Sequence, residues 1–517
     1  MKLQLPQIFG EGMVFQRGKA IPVWGKSAKN DHITAVLGNC VLETDCGDDG
    51  RFRVDFPPQE ACETVSLFVT SAATREKVSF TDCAVGEVFL CGGQSNMEFL
   101  LKYDVGANDE YQTPEDPLLR MFTCPQVNFD GAEELGDFSE VGFWRKWTDR
   151  DNRGMFGAIP AYMGKILRKE LGVPVGMIAC NWGGTPAAAW ASKEEIENTP
   201  AMKPILDWYD KALSDLDWRP YFEASEQPVP PTPPEMKARM ERFMMGEGLK
   251  EFMEMMAKNP APMPMPMPVY SAFVPGPRAC IRPAGLYDTM LKKVAPYALA
   301  GFIWYQGEDD DFRGWQEFYG ESMKAVIRSW RKLWNEELPF YQVDLAPFKG
   351  GGATGAKKYP LMRQLQHESS KEMPKAKDVC IMDLGDAINI HFRDKWKAGE
   401  RLALLALKYI YGFDVKADSP EFDTMLRDHD RVLLHFTGAE TGLVIDRSVG
   451  DTENALTAEA DGVAAEPVLF TEGEFLVLVH PAFADAKEIK VSYAEKNYCR
   501  GFLFDRTGLP VFPFHTA

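Results

Sequence analysis

Three short apolar segments, each ending in glycines or polar residues, most constrain the fold of this chain. They read VFLCGGQSNM (88–97), VGMIACNWGGT (175–185) and AGFIWYQGEDD (300–310). Helical periodicity marks AIPAYMGKILRKELG (158–172) and EFYGESMKAVIRSWRKLWNEE (317–337). Apolar strands that alternate with helices predict a mostly parallel sheet with helices on both faces. The predicted fold class is therefore α/β.

Both ends of the chain show the short alternating runs that are typical of β structure. HITAVLG and RFRVDF are examples before residue 85, and RVLLHFT and EFLVLVHP are examples after 411. We therefore predict an N-terminal β domain of sandwich or jelly-roll type (1–85), an α/β catalytic domain (86–410) and a C-terminal β domain (411–517). A Met-rich helical stretch and the tract PAPMPMPMPVY predict an insertion at about 200–280, in which the tract is extended and polyproline-like.

Composition excludes several classes of function. The 517 residues are 45% hydrophobic and 26% charged, with a net charge of −19. An acidic chain argues against a nucleic-acid or anionic-membrane partner, and no run of 18 apolar residues predicts a membrane span. No CxxC pair occurs among the ten cysteines, so a zinc site is not expected. The start lacks an apolar signal-peptide region, which predicts a cytoplasmic protein, or an extracellular or periplasmic one whose leader has been removed.

Ser95 follows the first apolar strand on a glycine-containing turn. Ligands of open α/β sheets bind at the carboxyl ends of strands, although from position alone a helix N-cap, with Glu98 completing a capping box, is the more common use of such a serine. Two other strand exits favour catalysis. Gly183 and Gly184 can expose a backbone N–H, and the Gln306 amide can donate to a developing oxyanion.

A serine nucleophile needs a base, which is usually histidine. His391 follows the apolar strand DVCIMDL and precedes a helical pattern, which is again the functional edge of a sheet. The other six histidines lie in β regions, in a polar run, in a helix or near the chain end: His32, His367, His429, His435, His480 and His515. Ser95 and His391 are therefore the candidate nucleophile and base.

Five ordered motifs carry a family resemblance: GQSNM, NWGGTPAAAW, RPAGLYDTM, IWYQGEDD and DLGD…IHF…K…GERLA. Together with the opening LPQIFGEGMVFQRGKAIPVWG and the closing GLPVFPF, they resemble the sialate O-acetylesterases of the SGNH-hydrolase superfamily. The resemblance covers nearly the whole chain apart from 200–280. It implies a flavodoxin-like α/β/α sandwich carrying β domains. It also implies a serine esterase that removes O-acetyl groups from sialic acid, without a metal or cofactor.

The resemblance also implies roles for matched residues. Ser95 forms the acetyl-enzyme, and His391 is the general base and then the general acid. The oxyanion hole consists of the backbone N–H of Ser95, that of Gly184 (or alternatively Gly183) and the side chain of Gln306.

One departure from the family pattern concerns the third member of the triad. The family often has an acidic residue two positions before the histidine, where this chain has Asn389. Asp386, or else Asp383, lies close enough in sequence to orient His391. Alternatively, Asn389 orients His391 as a neutral hydrogen-bond acceptor, or a backbone carbonyl does so.

The substrate is the least constrained expectation. The carboxylate of sialic acid requires a positive partner, for which the candidates are Arg282, Arg363 and Arg393. Flat faces for a sugar ring, or simply core packing, are offered by Trp182, Trp190, Trp304 and Tyr305. An acetylated neutral polysaccharide such as xylan is the alternative substrate. A weakly active or inactive carbohydrate-binding protein is the alternative of another class, and the missing acid at position 389 favours it.

Overall fold

The computed structural model describes residues 2–228, 233–248, 272–350, 355–453 and 455–516. These residues form two compact units. The first contains 2–228, 233–239, 272–306 and 321–340, and the second contains 240–248, 307–320, 341–350, 355–453 and 455–516. The predicted polyproline-like tract and the end of the Met-rich helical stretch lie outside the described residues.

The first unit contains a mixed sheet and the N-terminal β structure. Its strands are β1 (Val14–Gln16), β2 (Ile21–Lys26), β3 (His32–Leu37), β4 (Cys40–Asp45), β5 (Arg51–Phe56), β6 (Cys62–Ser71), β7 (Lys77–Gly93), β8 (Asp116–Thr123), β9 (Trp144–Trp147), β10 (Val175–Asn181) and β11 (Gly301–Tyr305). The order β11-β7-β10-β8-β9 is parallel except for the antiparallel pair β8–β9. The N-terminal strands pair as β2–β5 and β3–β4, and β6 lies between β3 and β7.

Strand β7 serves both the N-terminal β structure and the mixed sheet. Its first six residues alternate between exposed and half-buried positions, whereas the following eleven are all buried. This change matches a strand that passes from a half-solvated antiparallel sheet into a parallel sheet covered on both faces. Gly86, where the sequence texture changes, does not interrupt the strand. A Cβ there would collide with the Pro174 carbonyl, which accepts a hydrogen bond from Glu87.

The two long helices predicted from the apolar period are confirmed, as Ala158–Leu171 and Tyr319–Trp334. The α-helices of the described residues are Ser95–Glu98, Ala107–Glu110, Arg150–Gly154, Ala158–Leu171, Lys193–Glu197, Lys203–Asp215, Trp218–Ser225, Pro234–Met244, Lys292–Val294, Glu308–Arg313, Tyr319–Trp334, Tyr359–Glu372 and Trp396–Tyr409. The helix Ala158–Leu171 ends at Gly172, whose φ of +67° is the left-handed conformation that commonly closes a helix.

The second unit contains β12 (Phe340–Val343, from its second residue onward) and the neighbouring strand β13 (Ala376–Val379), followed by all-β structure. The later strands are β14 (Glu421–Asp428), β15 (Arg431–Thr437), β16 (Leu443–Ile445), β17 (Leu456–Ala460), β18 (Val463–Ala465), β19 (Val468–Glu472), β20 (Phe475–Val479), β21 (Ile489–Tyr493), β22 (Leu503–Asp505) and β23 (Phe514–His515). They form the sheets β14-β15-β20-β19, β18-β17-β21-β23 and β16-β22. Leu434, Phe436, Leu478, Val491 and Tyr493 lie in the core of this region.

The structure therefore confirms an α/β class with additional all-β sheets. Eight of the ten cysteine side chains are buried, as expected for thiols in apolar strands. Among the described residues, no helix is long and apolar enough to cross a membrane. The division into three domains with the boundaries given above stays a prediction.

Candidate active site

Three parallel strands of the first unit end in register. Gly93, the last residue of β7, pairs with Asn181, the last residue of β10, and with Tyr305, the last residue of β11. The backbone continues this alignment beyond the strands, because Gln94 donates to the Tyr305 carbonyl (3.0 Å) and Trp182 donates to the Gly93 carbonyl (3.1 Å). The three segments that follow these strands therefore leave the sheet at one edge.

These exits place Ser95, the Gly183–Gly184 turn and Gln306 at the same edge of the sheet. Gly93 permits the close approach, since its φ is +125° and a Cβ would collide with the Tyr305 backbone. Gly183 packs directly on the serine, because a Cβ there would lie 3.1 Å from the Cβ of Ser95. The hydroxyl, the glycine turn and the amide are thus gathered within one part of the first unit.

Ser95 is the first residue of the short helix Ser95–Glu98 and is partly exposed. Gln94 occupies the N-cap position and makes no side-chain capping bond. The N-cap interpretation of Ser95 is therefore wrong, because the helix begins one residue earlier than a capping box would require.

Glu98 has a different partner from the one that a capping box predicts. Its Oε2 accepts a hydrogen bond from the backbone N–H of Gly183 (2.8 Å), and its Oε1 accepts one from Gln126 Nε2 (3.1 Å). Burial raises the pKa of Glu98, while these two donors act in the opposite direction. The Gly183 amide is therefore occupied by Glu98, while Gly184, with its φ of +70°, follows it in the turn, and its role in the oxyanion hole stays a prediction.

Gln306 is fully buried and links the third strand exit to the second. Its Nε2 donates to the Thr185 carbonyl (3.1 Å), and the Thr185 hydroxyl donates to the Trp182 carbonyl (2.7 Å). Trp190 Nε1 completes the network by donating to the Thr185 hydroxyl (3.1 Å). The bond to the Thr185 carbonyl fixes the orientation of the Gln306 amide.

The aromatic residues near these exits are mostly core. Trp190, Trp304 and Tyr305 are fully buried, and the indole of Trp304 packs edge-on against those of Trp190 and Trp330. Trp182, in contrast, is partly exposed. It is the one member of the predicted aromatic set that is not fully buried.

His391 lies in the second unit, in the loop between β13 and the helix Trp396–Tyr409. The loop is shaped by two side chains that bind its backbone. Oδ1 of Asp386 accepts hydrogen bonds from the amides of Ile388 and Asn389 (2.8 Å each), and Oδ1 of Asn389 accepts one from the amide of His391 (3.0 Å). Asp386 and Asn389 thus hold the backbone on which His391 sits. The assignment of Asp386 as the acid that orients the His391 imidazole stays a prediction.

Asp383 is engaged elsewhere in the second unit. It forms a bidentate pair with Arg401, with both N–O distances at 2.7 Å, and Arg401 also donates to the Cys380 carbonyl (2.9 Å). Such a planar two-bond pair is strong and specific. It fixes the start of the His391 loop to the helix Trp396–Tyr409.

The imidazole of His391 is held in its neutral form. Burial, followed by the positive charge of Lys395, lowers its pKa to about 4. Nδ1 is buried and has no hydrogen-bond partner among the described residues. The group can therefore accept a proton at neutral pH, but no described side chain bonds Nδ1 to stabilise the imidazolium that would result.

The C-terminal β structure supports this loop. Gly385 has a φ of +93°, and a Cβ there would collide with the Pro347 carbonyl. Arg500 donates to the Gly385 carbonyl (2.8 Å), and Gly501 donates to the Met382 carbonyl (2.8 Å). Sequence reasoning missed Arg500 and Gln126 and gave Glu98 a different role, because each acts on a segment far away in the chain.

The three candidate arginines have different surroundings. Arg282 is partly buried in the first unit and donates to the Pro277 carbonyl (2.9 Å). Arg363 is buried in the second unit and donates to the Lys496 carbonyl (2.5 Å). Arg393 is partly exposed and is the one that shares a loop with His391.

Comparison with known proteins adds evidence that is independent of this geometry. Residues 275–408 match the family described as carbohydrate esterase, sialic acid-specific acetylesterase. The mouse sialate O-acetylesterase is 26% identical over 357 residues, which are 64% of this chain and 58% of the mouse protein. The human sialate O-acetylesterase is 24% identical over 373 residues, 66% of this chain and 58% of the human protein. The match thus spans less than two thirds of the length of these relatives.

A solved structure matches over the full length. The crystal structure of a carbohydrate acetylesterase from Xanthomonas citri aligns with 100% of both chains, with a TM-score of 0.73 and 24% sequence identity. At this identity the match shows a shared fold.

Proposed function

Because the resemblance to the sialate O-acetylesterases is confirmed by these comparisons, we propose that the chain is a carboxylic ester hydrolase that removes O-acetyl groups from a sugar. The proposed fold of the catalytic part is the flavodoxin-like SGNH-hydrolase sandwich. The observation that carries the proposal is the register of β7, β10 and β11, which gathers Ser95, the Gly183–Gly184 turn and Gln306 at one sheet edge.

The proposed reaction is a two-step acyl transfer. Ser95 attacks the acetyl carbonyl while neutral His391 accepts its proton, and His391 then returns that proton to the departing sugar hydroxyl. Water, activated by the same histidine, releases acetate from Ser95. The backbone N–H groups of Ser95 and Gly184 and the amide of Gln306 stabilise the oxyanion, each by about 3 kcal/mol in comparable sites.

The residues around the two catalytic groups act as positioning residues in this scheme. Glu98 holds the Gly183 amide and thereby sets the turn from which Gly184 donates. Asp386 and Asn389 hold the backbone on which His391 sits. A histidine without a partner at Nδ1 predicts a modest turnover, because a triad acid otherwise contributes up to about 10⁴-fold to kcat.

The proposed substrate is an O-acetylated sialic acid, whose carboxylate would pair with Arg393 in the His391 loop. An acetylated neutral polysaccharide is the alternative. Mass spectrometry of acetate release from O-acetylated sialic acids and from acetylated xylo-oligosaccharides separates the two. If sialate is the substrate, Arg393→Gln raises KM for the sialate ester and leaves hydrolysis of p-nitrophenyl acetate unchanged.

The decisive test of the catalytic proposal is hydrolysis of p-nitrophenyl acetate by the wild type, Ser95→Ala and the control Ser214→Ala, an exposed serine. We expect activity in the wild type and control and its loss in Ser95→Ala. An organophosphonate should label Ser95, as mapped by peptide mass spectrometry. Equal, near-background rates in all three proteins, or labelling at another residue, would refute the proposal and favour a carbohydrate-binding protein.

A further inference from the structure

The ring of Phe273 packs on Gly184, the second glycine of the turn that follows β10. A Cβ at Gly184 would lie 3.3 Å from Cε1 and 3.9 Å from Cζ of Phe273. Apart from the two neighbours of the glycine in the chain, no other described residue has a heavy atom within 4 Å of that position. Phe273 is itself partly exposed. An accessible apolar ring therefore borders this side of the glycine.

This contact places Phe273 beside the proposed oxyanion hole. Gly184 follows Gly183, and a Cβ at Gly183 would lie 3.1 Å from the Cβ of Ser95. In the proposed reaction the Gly184 amide donates to the oxyanion that develops on the carbon attacked by Ser95. A ring in contact with Gly184 is therefore close to the other substituents of that carbon.

The loop that carries Phe273 is closed by its own backbone and tied to a neighbouring helix. The Cys280 amide donates to the Ala272 carbonyl (2.8 Å), which closes the loop around the ring. The Tyr221 hydroxyl accepts a hydrogen bond from the Arg278 amide (2.9 Å). The backbone on both sides of Phe273 is thus fixed within the first unit.

The side chain of Arg278 anchors the same loop. Its guanidinium lies over the rings of Phe129 and Phe222, at 4.6 and 4.7 Å from their centroids, and its Nη1 donates to the Ser225 hydroxyl (2.9 Å). Two cation–π contacts and a hydrogen bond hold the loop at a second point. We therefore expect the Phe273 ring to keep its position when a substrate binds.

The chemistry of the reacting carbon indicates which part of the ester meets this ring. Besides the Ser95 oxygen, the tetrahedral intermediate carries an oxyanion, an alkoxy oxygen and the acyl carbon. The oxyanion needs hydrogen-bond donors, and the alkoxy oxygen takes a proton from His391. The acyl carbon alone has no polar partner, and burying it against an apolar ring is favourable. A sugar hydroxyl in the same place would lose its hydrogen bonds to water.

We propose that Phe273 is a specificity-determining residue that restricts the acyl group of the ester to acetyl. The inference rests on the proposed function, since it requires Ser95 and Gly184 to hold the reacting carbonyl. A methyl group fits beside the fixed ring. A butyryl chain is two methylenes longer and would have to displace the ring or pull the carbonyl away from its donors.

The position of Phe273 in the chain makes this restriction a property of the insertion. Phe273 belongs to the insertion predicted at about 200–280, and it precedes residues 275–408, which match the acetylesterase family. The matched segment supplies Gln306 and His391, whereas the ring that limits the acyl group comes from outside it.

The test compares kcat/KM for p-nitrophenyl butyrate and p-nitrophenyl acetate in the full chain. We expect the wild type to prefer the acetate by about 10- to 200-fold, the selectivity that a tight apolar pocket achieves. Phe273→Ala should raise the butyrate-to-acetate ratio at least about 10-fold. The matched control is Val274→Ala, which truncates the next residue of the same loop and should keep the wild-type ratio. A ring with only a structural role would lower both rates in proportion.

The outcomes separate this inference from the proposed function. If Ser95→Ala abolishes acetate hydrolysis but Phe273→Ala keeps the wild-type ratio, the proposed function stands and the role of Phe273 is refuted. Equal wild-type kcat/KM for the two esters refutes that role without any variant. Hydrolysis that does not depend on Ser95 overturns both. If Phe273→Ala does not fold, Phe273→Leu replaces it, and an unchanged ratio in that smaller side chain has the same meaning.

Discussion

The substitution Asn389→Asp tests how the electrostatics around His391 limit catalysis. Oδ1 of Asn389 accepts the amide N–H of His391 at 3.0 Å, and an aspartate of the same shape keeps that bond. The change therefore preserves the loop and adds one negative charge two residues from the imidazole.

The magnitude follows from the pKa of His391. Its lowering from 6.5 to about 4 corresponds to roughly 3 kcal/mol, which opposes formation of the imidazolium as Ser95 loses its proton. A carboxylate within about 4–6 Å raises the pKa of a histidine by about 1–3 units. We therefore expect Asn389→Asp to recover roughly 1–3 kcal/mol of the barrier, a gain of about 10- to 100-fold in kcat/KM.

The assay is the pH profile of kcat/KM for p-nitrophenyl acetate. In Asn389→Asp the acid limb should move upward from about 4 by one to three units while the plateau rises. Asn389→Ala is the control, because it removes the loop hydrogen bond without adding charge and should lower the plateau. If the limb and the plateau of Asn389→Asp equal those of the wild type, a charge at 389 does not act on the catalytic base and the reasoning is refuted.

Three further outcomes are expected. The wild-type kcat/KM should stay constant in mildly acidic buffer and fall only through about pH 4, because the His391 imidazole is neutral above its lowered pKa. Lys395→Met removes a positive charge and should move this acid limb of the pH profile to higher pH. An acid limb near pH 6.5 in the wild type would contradict the assignment of His391 as the base. Glu98→Ala should lower kcat by about 10- to 100-fold with KM nearly unchanged, since the Gly183 amide loses its acceptor next to the oxyanion donors. The control Gln126→Ala leaves the bond from Gly183 to Glu98 intact and should lower kcat less. Equal losses of kcat in the two variants would argue against the positioning role of Glu98. Asp386→Asn should change kcat less than about 10-fold, because an amide oxygen still accepts the two loop amides, whereas a loss of about 10⁴-fold would identify Asp386 as the triad acid.

The sequence was informative where local pattern decides structure. Apolar runs predicted β7, β10 and β11, and their common direction in a parallel sheet was enough to place three polar exits at one edge. Gly86 lies inside a continuous strand, where close contact with Pro174 requires a glycine.

Other features depend on pairs of residues that no local pattern connects. The bond from Gly183 to Glu98 spans 85 positions, and the one from Arg500 to Gly385 spans 115. The lowered pKa of His391 likewise arises from its burial in the folded chain. Such properties follow from the packing of distant segments and are read from the structure.

Strand β7 has a consequence for how this protein can be dissected. The same seventeen residues pair with β6 at one end and with β10 and β11 at the other, so we expect that the N-terminal segment cannot be detached intact. A truncation at the apparent boundary would strip the partners from half of a continuous strand and leave its backbone donors and acceptors open to association with other chains. We therefore expect the two parts to unfold together.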